Sequence, residues 1–173
     1  EAIENPSSRF LAERPQSPGS VITATVEGSR VFLVEVQALV EKTFYGTPVR
    51  RASGFDTNRL QMLAAILSKR AGLKLGESDI FVNVIGGLSL NEPAADLAVA
   101  VAIVSAIKNE PIEEGLIIFG EVGLGGEVRS VSFAERRLKE SERLGMTSAW
   151  LPARASKTKT DLNLRPVKSV TEL

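Results

Sequence analysis

Hydrophobic and polar positions repeat with two different periods along this chain, and each period predicts its own elements. Residues 21–26 (VITATV) are a strand-forming, β-branched run, and Glu27-Gly28-Ser29-Arg30 reads as a hairpin turn. Residues 31–40 (VFLVEVQALV) continue as a longer strand, with Val34, Val36, Ala38 and Val40 alternating with Leu33, Glu35, Gln37 and Leu39. A third strand is expected around 46–52, with Pro48 placing it at a sheet edge. At Asp56 the period lengthens. Leu60, Leu63, Ala64, Leu67 and Ala71 follow i, i+3, i+4, i+7 spacing, so a helix starts with Asp56 or Thr57 as its cap and ends at Gly72.

Residues 79–85 (DIFVNVI) predict another strand, Gly86-Gly87 a turn, and residues 92–107 (EPAADLAVAVAIVSAI) a helix. That helix has no polar stripe, so it belongs inside the domain. Residues 116–119 (LIIF) read as a central strand without alternation. The glycine-rich GEVGLGG (120–126) leads into a short strand at 128–131, and Ser132 is expected to cap a charged helix through Leu144, stopped by Gly145. A strand at 148–151 halts at Pro152, another short strand is expected at 165–168, and the final KSVTEL starts a helix. Pro6, Pro15, Pro18 and Gly19 mark residues 1–19 as a lead-in from which Phe10 and Leu11 dock, leaving 20–173 as the domain. The order β-β-β-α-β-α-β-β-α-β predicts an α/β (α+β) two-layer fold on a mixed sheet.

Composition narrows the chemistry. With 173 residues the chain suits one domain, and its 21 basic and 21 acidic residues leave no global charge to attract nucleic acid. There is no cysteine and no histidine, which removes disulfides, thiolate metal sites and the commonest general base. No apolar run is long enough for a membrane span, and the polar start does not read as a signal peptide; a cytoplasmic location is expected.

Three candidate sites emerge. Gly120 and Gly125 have the spacing of a phosphate loop, but Gly126-Glu127 stands where Gly-Lys belongs and a strand follows, so a strand-to-strand turn is expected. Pro93 suits the first turn of the buried helix, where Asn91 or Glu92 can serve the positive helix end. Asp96, in an apolar helix, requires a donor such as an arginine. Arg50, Arg51 and Arg59 surround Gly54-Phe55-Asp56. The two strand residues point to opposite faces, and Arg59, in a first helical turn, calls for pairing with Asp56, Asp96 or another carboxylate. Nucleic-acid contact is the sharper reading of this cluster. Arg136, Arg137, Lys139 and Arg143, interleaved with Glu135, Glu140 and Glu142, read as a solvated helix face.

NVIGGLSLNEPAADLAVAVAI followed by FGEVGLGGEVRSV resembles the proteolytic domain of the Lon proteases. That family uses a serine nucleophile assisted by a lysine, a dyad that needs no histidine. The resemblance places the serine at Ala94 and the lysine at Glu135, so it implies a domain whose dyad is lost. Ser89, Ser105 and Lys139 do not occupy the required positions, although an active serine-lysine peptidase remains the rival reading. A broader match is carried by LVEVQALV (33–40), RRASGFDTNRLQML (50–63), EPAADLA (92–98) and FGEVGLGGEVR (119–129), with NPSSRFLAERP before them. These strings resemble the C-terminal Lon-like domain of the RadA (Sms) family of bacterial DNA-repair proteins, with a ribosomal protein S5 domain 2-like fold.

That resemblance implies a longer protein with a zinc finger and a RecA-like ATPase, acting in homologous recombination on single-stranded or branched DNA as a hexameric ring. ATP, Mg and Zn are expected to bind outside this chain, with no cofactor or metal within it. A recombinase filament is a further expected partner. Arg50, Arg51 and Arg59 become the DNA-binding candidates, and Asp56, Pro93, Asp96, Gly120 and Glu121 the structural residues of the degenerate site. The other rival is a purely structural oligomerisation domain that never touches DNA.

Overall fold

The long hairpin sets the frame. In the computed structural model, which describes Leu11, Arg14 and residues 16–173, β1 (Ser20–Glu27) and β2 (Arg30–Lys42) pair antiparallel from Ser20↔Gln37 to Glu27↔Arg30. β2 also pairs antiparallel with β4 (Ser78–Val84), and β3 (Arg50–Ser53) joins β4 in parallel as the edge strand that Pro48 announced. On the other side of β1 lie β5 (Leu116–Ile118), β8 (Ser148–Pro152) and β9 (Asn163–Val167), all parallel. The resulting mixed sheet has the order β3-β4-β2-β1-β5-β8-β9. β6 (Glu121–Val122) and β7 (Val128–Arg129) form a separate small hairpin, so GEVGLGG is the strand-to-strand turn expected. The third strand is shorter than its predicted span and the last begins earlier, at Asn163.

Helices α1 (Thr57–Arg70) and α2 (Asp96–Lys108) cover one face of the sheet. Asp56 caps α1 by accepting the Asn58 N–H at 3.0 Å, and Gly72, at φ +70°, takes the left-handed conformation that ends it without a Cβ penalty. Residues 96–105 of α2 are all buried, as its lack of a polar stripe requires. At roughly 1.5–3 kcal/mol for each fully buried large aliphatic side chain, Leu97, Val99, Val101, Ile103 and Val104 make this helix a major apolar contribution to the fold. A 3₁₀ turn, Pro93–Ala95, leads into it.

The third helix departs from expectation. α3 spans Ala134–Arg143 rather than starting at a Ser132 cap. Its N-cap is Phe133, at φ +60° and without a capping hydrogen bond, because the chain must turn sharply out of β7 to bring α3 under the sheet. α3 packs Leu138 against Ile22, Leu33 and Phe119 on the face opposite α1 and α2. This explains why Leu33 and Glu35 are buried together with Val34 and Val36: both faces of that half of β2 are covered. The alternation survives only beyond Gln37, where Leu39 is exposed. Leu11 packs on this second core, and Phe10 lies outside the described residues. The chain's end forms a 3₁₀ turn, Val170–Glu172, closed by a Ser169–Glu172 capping box.

Candidate functional site

The start of α2 is where the motifs converge. Ala94 is buried, and the main chain ties it to the segment entering β6: the Gly120 N–H donates to Ala94 O at 2.9 Å and the Leu97 N–H to Gly120 O at 3.0 Å. Gly120 is required by this approach, since a Cβ there would lie 2.9 Å from Val128 Cγ1 and 3.2 Å from Leu97 Cδ2. A cleft of about 410 Å³ opens beside this start, between Phe55 and Arg59 on one side and Leu90, Glu92 and Pro93 on the other.

Two arginine–carboxylate pairs flank the turn. Asp96, fully buried, accepts Arg59 Nε at 2.8 Å, a second bond from Arg59 Nη2, and the Val122 N–H at 3.1 Å. Arg59 Nη2 also donates to Val122 O at 2.9 Å, so one pair joins α1, α2 and β6. The hydrogen bond to Asp96 outweighs the desolvation of Arg59 and raises the guanidinium pKa above its ordinary value. The partner that Asp96 and Arg59 each called for is therefore the other.

On the opposite side Glu92 meets Arg137. Arg137 Nη2 donates to Glu92 Oε2 at 2.8 Å and Nη1 to Glu92 Oε1, while Nη1 also reaches Ala24 O at 2.6 Å and Nε reaches Ser132 O at 3.0 Å. The Thr25 hydroxyl and Val26 N–H donate to Glu92 Oε1, each at 3.1 Å. Burial by itself would raise the Glu92 carboxyl, but Arg137's bonds and charge, with those of Val26 and Thr25, hold it below its ordinary value. Two readings are corrected here. Glu92 makes no side-chain cap for the helix start, because its carboxylate is turned toward Arg137. Arg137 is 1% exposed instead of lying on a solvated face, with its guanidinium 5.9 Å from the Phe119 ring. The signal was present in the spacing: Ala134, Arg137, Leu138 and Ser141 follow i, i+3, i+4, i+7, and this is the stripe that α3 turns inward.

The remaining candidates are placed apart from one another. Arg50, half-buried, donates to Ser78 O and to Leu75 O at 2.8 Å and so staples β3 to the α1–β4 connection. Arg51 is exposed on the other face, with no hydrogen bond or ion pair among the described residues. Asp56 lines the cleft as well as capping α1, and Glu121 is half-buried on β6. Glu135 and Lys139 are exposed on α3, and Ser89 is exposed before the turn. Ser105 is buried toward the far end of α2, where it donates to Glu110 O and accepts the Gly19 N–H at 2.9 Å. No described group of three or more Asp and Glu residues is arranged to hold a metal ion, and no described helix is long and apolar enough to cross a membrane.

Comparison with known proteins places this architecture. A family model described as "Subunit ChlI of Mg-chelatase" matches residues 55–155, from the cleft residue Phe55 through β8. DNA repair protein RadA of Aquifex aeolicus is 45% identical over 172 residues, covering 99% of this chain and 39% of that protein. RadA of Brucella abortus is 44% identical over 164 residues, 94% of this chain and 35% of that protein. RadA of Bacillus subtilis is 48% identical over 152 residues, 87% of this chain and 33% of that protein. The chain spans about a third to two-fifths of the length of these curated relatives. The chain belongs to the domain family that this model describes, and its sequence groups it with the RadA proteins.

Proposed function

We propose that this chain is a proteolytically silent, Lon-like scaffold domain of a RadA-type DNA-repair ATPase, supporting a hexameric ring and contributing contacts to single-stranded or branched DNA. The observation that carries the reading is Ala94: the nucleophile position is an apolar residue, buried, with its carbonyl bonded to Gly120. A serine peptidase needs an exposed hydroxyl beside a base, and the two charged groups nearest this turn, Glu92 and Asp96, are both held by arginines. ATP hydrolysis with Mg, and zinc binding, belong to segments outside this chain, which has neither a Walker motif nor a cysteine. Processing of branched recombination intermediates and contact with a recombinase filament are roles of the whole protein in this reading.

Incubation with unfolded casein tests the silent site. No cleavage is expected from the chain or from its Ala94→Ser variant, and cleavage abolished by Ser89→Ala would overturn the proposal. Among the three arginine candidates, Arg51 is the one with an open side chain, so Arg51→Glu in the full-length protein should weaken DNA binding while Arg50→Glu should chiefly destabilise the fold. DNA affinity untouched by Arg51→Glu would remove the β3 edge as a DNA contact, and a full-length protein that binds DNA equally well without this chain would favour the purely structural reading.

A further inference from the structure

A second surface carries more cationic charge than the motif-bearing turn. Arg136, Lys139 and Arg143 lie at i, i+3 and i+7 on the outward face of α3 and meet Arg30 across a hollow of about 360 Å³ at the tip of the β1–β2 hairpin. Four cations and one carboxylate, Glu140, line it. Arg143 is paired with Glu140 at 2.6 Å, whereas Arg30, Arg136 and Lys139 have no ion pair among the described residues. In a chain of zero net charge, such a local excess makes a positive potential that a bound anion would relieve.

An independent feature adjoins the same cations. Phe133 is 52% exposed and sits at φ +60°, a conformation that costs a bulky residue about 1–2 kcal/mol. The backbone holds its ring outward at the head of α3, with the Arg136 guanidinium 5.2 Å from the ring centroid. Arg30 is likewise 5.4 Å from the Phe32 ring. Cations along a groove combined with an exposed aromatic ring are what a single strand of nucleic acid requires: phosphates on the cations, a base stacked on the ring.

We propose that the hollow between the β1–β2 hairpin and α3, with Arg30, Arg136, Lys139, Arg143 and Phe133, is a binding surface for single-stranded nucleic acid. It rests on the DNA-binding part of the proposed function but puts the nucleic acid on the opposite face of the sheet from α1 and α2. The test is fluorescence anisotropy of the chain with a labelled 20-nucleotide oligo(dT) across a salt series. Arg136→Ala/Lys139→Ala should weaken binding and lower the slope of log affinity against log salt by about 1.4, because each phosphate no longer neutralised accounts for about 0.7. Phe133→Gly should weaken binding about tenfold, within the range for removing one base–ring stack. It should leave the fold at least as stable, so that a folding defect is not mistaken for a binding defect.

Lys69→Ala/Lys74→Ala, a control of equal charge on another surface, should change affinity less than twofold. Affinity unaltered by both α3-side variants, while Arg51→Glu abolishes it, would overturn this surface and keep the DNA reading. A control that weakens binding as much as Arg136→Ala/Lys139→Ala would reduce the effect to net charge and also overturn it. Oligonucleotide that is not bound by the unmodified chain would overturn both.

Discussion

The two ion pairs beside the α2 start are mirror images. In Arg59–Asp96 the carboxylate is buried, 0% exposed, and the guanidinium reaches solvent, 25% exposed; in Arg137–Glu92 the guanidinium is buried and the carboxylate is 27% exposed. The difference decides what each pair can survive. A stranded carboxylate can take up a proton and become neutral, but a stranded guanidinium stays charged at any pH where the protein folds. The Arg137 side is thus the more brittle of the two, and this is the pair that joins α3 to β1 and the helix turn.

The largest effect is expected where the buried guanidinium loses its partner. Glu92→Leu leaves Arg137 with carbonyl acceptors alone and should cost about 4 kcal/mol, read from urea unfolding. Adding Arg137→Met should recover most of that loss, because removing both charges is far less costly than removing one. A double variant no better than the single would show that the two residues are not energetically coupled.

Arg59→Met strands Asp96 and should cost about 3 kcal/mol at neutral pH. An Arg59→Met penalty larger than that of Glu92→Leu would break the comparison. Arg59→Lys should rescue little, because one ammonium cannot reproduce the forked arrangement that holds Asp96 and Val122 O.

The unmodified protein should show its own acid dependence. Glu92's folded pKa is depressed, so its contribution to stability is present above the ordinary carboxylate value of about 4.3 and is lost as the pH falls through the folded value. Urea midpoints measured between pH 6 and pH 3 should fall, and they should fall less steeply in Glu92→Leu. The smallest effect is at the helix that delivers Arg137: Phe133→Gly should stabilise by about 1 kcal/mol by relieving its left-handed backbone.

Much of this was legible in the chain. The hairpin, the edge strand after Pro48, the Asp56 cap and the burial of α2 from Asp96 to Ser105 follow from local patterns, since each depends on a period or a turn residue within a few positions. The need of Asp96 for an arginine was also legible, because a carboxylate in an apolar helix admits few solutions. Arg137 was misread for the opposite reason: amid the charged residues of α3 its letter looks like its neighbours'. Only the Ala134–Arg137–Leu138–Ser141 stripe distinguishes it, and that stripe is weak without a partner surface. The Ser132 cap failed similarly, as the turn out of β7 sets where α3 can begin.

By itself, then, the sequence determined the elements, the mixed sheet and an apolar residue at position 94, all of which are properties of residue type and near neighbours. The tertiary structure alone decided that Glu92 faces Arg137, that Arg50 is a staple while Arg51 is open, and that Arg30 joins Arg136, Lys139 and Arg143 around one hollow. Those pairings cross from 25 to 113 positions of chain, and charge has no periodicity that survives such a distance. Which charges are neutralised and which are left facing solvent is settled only when the sheet brings its two covered faces together.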